Sequence, residues 1–497
     1  MSATPSDAAT VGRTALGLAP LAVLSRGVAF FVPVAVARVW GAIPATDAFF
    51  WALGVPTFVL VLAAMAVATV LIVPLSELRA RAPDRVPGFV GAALLAAAAA
   101  AAAFAAIFAA LSPVAAALTT RFDPETTRLA ARAAWTLVPF ASTVAAATVA
   151  RVACEAHGAF RVSVGAPLAR GAVVIGAVVA SAPAGAEWLP ACFLAGNLVE
   201  IGILVWALGR VGAGPAWPRA WPPELTAALT RVAPVLGGEG LVASNLLVDR
   251  AFAATLAAGS VSLLEYADRA QMIPRTLLES TLVSVAFAGW AAARARGDDE
   301  ARRAAVATSL WWVLLFAPPM LAGLSVGRVA LARLLYGGGT LSAEQLATVA
   351  ANIDAFLPGV LFGLLGALIV KAHVVEGRTT LVLGLGLMSF ALNASLNVAL
   401  IGSLGLVGLA ASSSITTAVV TVVSFVRLAP ELRGALGPRA AAAAVLVVLG
   451  SLGVTIVAHV FAFAPATVLD PWLWAASLPC FGLLAFAASR ARAGGGS

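Results

Sequence analysis

Long apolar runs, separated by short breaks rich in arginine, proline or glycine, dominate the chain from end to end. A helix needs roughly 20 apolar residues to cross a bilayer core of about 30 Å. Cutting the chain at its breaks predicts fourteen transmembrane helices, at 14–39, 47–76, 87–118, 126–150, 162–182, 187–208, 232–257, 260–292, 304–331, 346–374, 380–402, 405–427, 436–460 and 470–489. The 92–106 stretch is alanine-rich and only weakly hydrophobic, yet too long and apolar for a linker. No connection is long enough to hold a soluble domain. The first apolar run is too long for a cleaved signal peptide and lacks a small-residue cleavage site. The terminal Gly494-Gly495-Gly496-Ser497 reads as a flexible tail.

The connections orient this set of spans. With a cytoplasmic N-terminus, the inner side carries Arg79, Arg81, Arg85, Arg151, Arg161, Arg210, Arg219, Arg294, Arg296, Arg302, Arg303, Lys371, Arg378, Arg427, Arg433 and Arg439. The outer side holds Arg121, Arg328 and Arg333, so the count is sixteen against three. That asymmetry is the positive-inside signature, and it places both termini in the cytoplasm.

Composition closes off the other classes. The chain is 61% hydrophobic and 11% charged, with a mean hydropathy of +1.00, whereas soluble domains are about 25% charged. A net charge of +8 raises nucleic-acid binding as a question. The arginines are scattered between apolar runs rather than gathered in a patch with aromatics, so no nucleic-acid partner is expected. Cys154, Cys192 and Cys480 have no CxxC spacing and read as small buried hydrophobes. There is no GxxxxGK[ST] sequence to bind ATP. The pair Asp298-Asp299 sits beside Arg302 and Arg303 in the polar 294–303 stretch and reads as a solvated loop, not a diphosphate–metal site. No enzyme activity is expected. Trp472 and Trp474, beside Asp470, are placed at the outer interface.

A short repeat organises the spans. Gly41 and Pro56 are fifteen residues apart across the start of the second predicted helix, and Gly259 and Pro274 repeat that spacing in the eighth. At this offset of 218, Asp47 falls on Glu265 and Val55-Pro56 on Ile273-Pro274. Six helices per half give both halves one orientation, as parallel repeats require. The expected fold is an all-α polytopic membrane protein with two parallel six-helix lobes, 1–225 and 226–430, followed by helices 13 and 14 in 431–497.

Charges inside the spans mark the candidate chemistry, because each costs at least ~2.5–3.5 kcal/mol near mid-membrane without a partner, a cavity or a task. Arg26 lies in the first helix, and Glu239, Asp249 and Arg250 in the seventh. In the eighth, Glu265, Asp268, Arg269, Arg275 and Glu279 fall within a stripe of roughly 120° at about 100° per residue. Glu265–Arg269 and Arg275–Glu279 also have the i,i+4 spacing of ion pairs. In the eleventh, Asn393 and Asn397 share one face. With Asp249 and the Ser413 hydroxyl they offer the oxygens a hard cation takes; equally, they read as polar contacts between helices.

These residues also carry a resemblance. Ser25-Arg26, Val36-Ala37-Arg38-Val39-Trp40-Gly41-Ala42 and Ala45-Thr46-Asp47-Ala48-Phe49-Phe50 resemble the MurJ/MviN lipid II flippases of the MOP exporter superfamily. So do Leu247-Val248-Asp249-Arg250, Gly259-Ser260-Val261-Ser262 and Tyr266-Ala267-Asp268-Arg269. Val55-Pro56 and Val73-Pro74 keep the family's separation, and Leu334-Leu335-Tyr336 through Arg378-Thr379 is similar but looser.

The resemblance implies a flippase of a polyprenyl-diphosphate-linked oligosaccharide, lipid II or a related envelope precursor, in the bacterial cytoplasmic membrane. It assigns Arg26 and Arg269, with Asp268 and Arg250, to substrate, and Asp47 to the periplasmic gate. Asp249, Asn393, Asn397, Ser413 and a carbonyl near Leu409 correspond to a Na+ site, so Na+ or H+ is the expected coupling ion and no organic cofactor is implied. Membrane lipids and envelope-synthesis enzymes are the implied partners. The family's other N-lobe charges fall here on Val32, Leu60, Val61 and Met65. An exporter of small amphipathic molecules and a non-transporting scaffold for envelope synthesis are the alternative readings.

Overall fold

The computed structural model describes residues 5–218, 220–278, 290, 297–376, 378–432 and 445–453. Every regular element among them is helical. Two compact units result, Met1–Ser262 and Leu263–Ser497.

The first unit contains α1 (Pro5–Val39), α2 (Pro44–Arg81), α3 (Val86–Thr119), α4 (Pro124–Thr136), α5 (Val138–Ala156), α6 (Phe160–Ala180), α7 (Leu189–Arg210) and α8 (Pro223–Ala253). One core of this unit joins Leu71 and Leu75 of α2, Phe89 and Val90 of α3, Ala150 and Ala153 of α5, and Leu204 and Leu208 of α7. From Ala101 onward the buried positions of α3 are small and recur nearly every four residues, at Ala101, Ala105, Ala109, Ser112 and Ala116. The large side chains Ile107, Leu111, Val114 and Leu118 point outward instead. Small residues inside and large apolar ones outside suit a helix packed closely on its neighbours in an apolar solvent. The alanine-rich stretch is therefore a packing surface. Between α3 and α4, Asp123 caps the new helix, accepting hydrogen bonds from the N–H of Glu125 at 2.8 Å and of Thr126 at 2.9 Å. The Thr126 N–H and hydroxyl hold this carboxyl below the usual carboxylate range.

α9 (Ser260–Leu278) begins in the first unit and continues into the second, which adds α10 (Asp299–Val326), α11 (Arg328–Tyr336), α12 (Ala343–Val375) and α13 (Thr379–Leu428). The core of the second unit packs Leu310 and Val313 of α10 against Leu357, Val360, Leu364 and Leu368 of α12. α13 is two helices joined at Gly405, whose φ of 56° and ψ of −132° are closed to side-chain-bearing residues. Asn393 meets Ser413 and Asn397 meets Ser412, so the two arms run antiparallel. The break at 402–405 predicted from the sequence is this hairpin. Gly405→Ala is expected to destabilise it by about 1–3 kcal/mol, read as a lower thermal unfolding midpoint in detergent; an unchanged midpoint would refute the strained geometry.

Nine stretches among the described residues are long and apolar enough to cross a membrane, the last of them, Thr380–Leu428, holding two of the predicted spans. α8 and α9, which carry the buried charges, are not among the nine. Several boundaries move. α5 continues to Ala156, so Arg151 lies inside a helix and not in a connection, and Arg79 and Arg81 belong to the last turn of α2. The stretch read as a loop around Asp298-Asp299 is a helix start. Asp298 accepts the Ala301 N–H at 2.9 Å as N-cap, and Asp299 pairs with Arg302 in the first turn of α10. Cys154 and Cys192 are buried and free, as expected. Of the thirteenth predicted helix, 445–453 is described. The fourteenth, with Asp470, Trp472, Trp474 and Cys480, lies outside the described residues, as do Arg219, Glu279, Arg294, Arg296, Arg433 and Arg439. The side chains of Met65 and Glu239 also lie outside them.

Candidate functional site

Gly41 and Gly259, which mark the predicted repeat, each lie in a turn just before a helix. Both glycines have positive φ, 71° and 92°, and each leads within three residues into a helix, α2 at Pro44 and α9 at Ser260. A Cβ on Gly259 would stand 2.9 Å from the Ala42 carbonyl oxygen, so the second turn is seated on the first. Beside it Asp47, only 2% exposed, reaches the opening turn of α9. Its carboxylate accepts hydrogen bonds from the Gly259 N–H at 2.6 Å, the Ser262 N–H at 2.8 Å and the Ser262 hydroxyl at 2.6 Å. Thr46 Oγ1 joins the cluster, 2.9 Å from Ser262 Oγ. A carboxylate at a helix N-terminus satisfies orphan donors and complements the helix dipole. Asp47 thus works as a cap supplied by another helix, and Thr46 and Ser262 are partners the sequence reading missed.

Arg250 of α8 is 3% exposed and packs against α2, where a Cβ on Gly54 would lie 3.3 Å from its Nη1. The glycine makes room for the guanidinium. Arg250, assigned to substrate, is therefore a buried contact between two helices of the first unit. Arg26, by contrast, is exposed on α1. Of the positions at which the resemblance expects further charge, Val32 is buried while Val61 faces outward.

In the second unit α9 presents the mixed stripe. Arg269 Nε donates to Glu265 Oε1 at 2.8 Å, the i,i+4 pair expected from the spacing. Glu265 is 4% exposed and the Arg269 side chain 34%, so the carboxylate is the more deeply buried of the pair. Asp268 accepts from Gln271 Nε2 at 2.8 Å, and Arg275 is half-buried. The two tyrosines of the chain, Tyr266 and Tyr336, pack with ring centroids 5.4 Å apart. The Tyr336 hydroxyl donates to the Tyr266 carbonyl at 2.7 Å, tying α11 to α9. That bond fixes the turn from which Arg269 projects.

The hairpin of α13 brings together four of the residues assigned to a cation. Asn393 Nδ2 donates to Ser413 Oγ and Asn397 Nδ2 to Asn393 Oδ1, each at 3.3 Å. Ser412, which the sequence reading passed over in the run Ser412-Ser413-Ser414, donates to Asn397 Oδ1 and lies 2.9 Å from the Leu409 carbonyl. The donor set is oxygen-rich and neutral, suited to a hard monovalent cation, although these oxygens are engaged with one another. Asp249, the acidic member of the expected set, is half-buried in the first unit. Among the described residues no group of three or more His, Cys, Asp or Glu side chains is placed to hold a metal.

A polar centre that the sequence did not signal lies in the first unit. Glu200 of α7 is fully buried and bonded to Arg151 of α5; Arg170 of α6 stands 3.0 Å from its second oxygen. Neither arginine nor glutamate has its partner within one helical turn, so no spacing rule reveals the cluster.

Comparison with known proteins decides the family. A family model described as lipid II flippase MurJ matches residues 36–480. The chain belongs to this family. A probable lipid II flippase MurJ from Bdellovibrio bacteriovorus is 25% identical over 204 residues, 41% of this chain and 39% of the relative. This chain thus matches well under half the length of that curated relative. Among solved structures, a lipid II flippase MurJ in an inward closed conformation superposes with a TM-score of 0.77 at 16% identity, over 95% of this chain and 98% of the other. An inward-facing multidrug resistance MATE family transporter of the MOP superfamily reaches 0.71 at 12% identity, over 83% and 98%. At these identities the superpositions establish the fold of a multi-pass membrane protein, and the family assignment rests on the sequence.

Proposed function

We infer that this protein is a flippase that carries a polyprenyl-diphosphate-linked oligosaccharide, lipid II or a close relative, across the bacterial cytoplasmic membrane by alternating access. The observation that carries the reading is the family match over residues 36–480, together with Arg26, exposed on α1, and Arg269, paired with Glu265 on α9, at positions the family uses for substrate. Guanidinium groups bind phosphate oxygens through paired N–H donors, and a diphosphate is the charged part of such a lipid. No ATP-binding loop is present in the sequence, so the driving force is an ion gradient. Asn393, Asn397, Ser413 and the Leu409 carbonyl supply neutral oxygens for Na+, with H+ as the other candidate ion. Both termini face the cytoplasm in this reading, and the sugar meets envelope-synthesis enzymes after transfer. The apolar residues at Val32, Leu60, Val61 and Met65 favour a related glycan cargo over lipid II itself.

Depleting the protein in its own host, with mass spectrometry of polyprenyl-diphosphate lipids, tests this directly. One lipid-linked glycan is expected to accumulate, and its mass names the cargo. No change in any such lipid, with reconstituted protein also inactive, would leave the non-transporting scaffold as the better account.

A further inference from the structure

The cluster of Arg151, Arg170 and Glu200 is unused by that mechanism, and its composition is unbalanced. Two guanidiniums, from α5 and α6, share one carboxylate on α7. Glu200 is 0% exposed and spends one oxygen on each arginine, whereas the arginine side chains are 27% and 26% exposed. The carboxylate is thus the buried fixture, and the two arginine side chains are partly exposed around it. A guanidinium has five N–H donors, and Arg151 Nε, itself buried, has no hydrogen-bond partner. Glu155, one turn along α5 from Arg151, accepts the Ser163 hydroxyl at 3.0 Å.

The packing around Arg170 is shaped to hold its stem. A Cβ on Gly196, one turn before Glu200 on α7, would lie 2.8 Å from the Arg170 carbonyl oxygen and 3.2 Å from its Cγ. α1 runs alongside α6: Leu21 lies against Gly165 and Val28 against Gly171, at 3.5 and 2.7 Å from the Cβ positions of those glycines. Arg26 falls between these two contacts, at the level of Arg170. Three arginines of the first unit therefore lie in adjoining helices, two of them paired with Glu200. Stability does not explain this arrangement, since well-packed apolar residues serve at least as well as a buried ion triad, and more so in lipid.

We propose that Arg151 and Arg170, oriented by Glu200, form a diphosphate-binding site in the first unit that acts alongside Arg26. Resting on the flippase reading, the proposal supplies the N-terminal half of that substrate's charge recognition. Two guanidiniums fixed on a common carboxylate present separate donor edges, which fit the two phosphoryl groups of a diphosphate better than a single carboxylate ligand. Glu200 is a positioning residue here.

Farnesyl diphosphate binding to the full-length protein in detergent tests it, with inorganic pyrophosphate as a second probe and the thermal midpoint of each ligand-free variant as control. Arg170→Gln and Arg151→Gln each leave Glu200 paired with the remaining arginine, so both are expected to fold with midpoints near that of the parent. Each should lose at least about tenfold in farnesyl diphosphate affinity, the scale of one charge-assisted hydrogen bond. Arg170→Lys should recover part of the loss, while Arg132→Gln, which removes an exposed pair with Glu187, should bind normally. Competition by pyrophosphate at equal concentration identifies a free diphosphate as the ligand; weak competition identifies a lipid headgroup. Full binding by both glutamine variants, with binding lost in Arg26→Gln, overturns this site and leaves the flippase reading standing. A parent protein that binds neither probe overturns both.

Discussion

Asp47→Ala is expected to be among the most damaging substitutions in the first unit, lowering stability by several kcal/mol and loosening the start of α9. The carboxylate accepts three hydrogen bonds at 2.6–2.8 Å from Gly259 and Ser262 while almost wholly buried. Bonds to a charged group contribute about 1.5–3 kcal/mol each, and a buried donor left without a partner costs about 1–3 kcal/mol. Alanine removes the acceptor and strands two backbone N–H groups at once. The Gly259 turn cannot rotate away to find another, because its φ of 92° and its seat on Ala42 fix it. Asp47→Asn keeps one acceptor oxygen but turns an amide NH2 toward donors, so an intermediate loss is expected. Thermal unfolding in detergent gives the order parent, Asn, Ala. Hydrogen exchange should show the amides of 259 and 262 deprotected in the alanine variant. Parental midpoints and exchange in both variants would mean that the cap carries no weight.

That cap was half legible in the sequence. Gly41 and Gly259 stand out because their spacing to Pro56 and Pro274 repeats, and both occupy the positive-φ turns that glycine tolerates. Asp47 was picked out by resemblance, but nothing in a linear pattern says that its partners lie more than two hundred residues away. The apolar spans were readable because length and composition alone decide them. Their ends were not, since Arg79, Arg81 and Arg151 look like loop residues while their long stems let them remain helical. Glu265–Arg269 was readable from i,i+4 spacing. Glu200 was not. A lone acid in the apolar run 189–208 announces that it has a partner, yet its partners sit on two other helices and one had been assigned to a connection. The Asn393–Ser413 contact was foreseen as a polar face, whereas Ser412 had to be selected from three consecutive serines by the geometry of the Gly405 turn.

Replacing Arg269 should separate recognition from stability most sharply, provided its ion pair is handled explicitly. Arg269→Ala removes the guanidinium and also leaves Glu265, 4% exposed, without its 2.8 Å partner. An uncompensated buried charge costs about 3–5 kcal/mol, so the single variant is expected to be both inactive and less stable. The double variant Glu265→Gln, Arg269→Ala removes the stranded charge and should regain most of the lost midpoint. Its translocation of a labelled polyprenyl-diphosphate glycan in proteoliposomes should stay at least about a hundredfold below the parent, as expected for losing roughly 3 kcal/mol of charge-assisted phosphate contact. Arg269→Lys keeps the charge and loses the planar fork, so it should fold normally and translocate at an intermediate rate. Coupling between the two positions is read from the same cycle, and it belongs to stability alone if the assignment is right. If the double variant translocates like the parent, Arg269 exists to neutralise Glu265. The diphosphate must then be held by the arginines of the first unit.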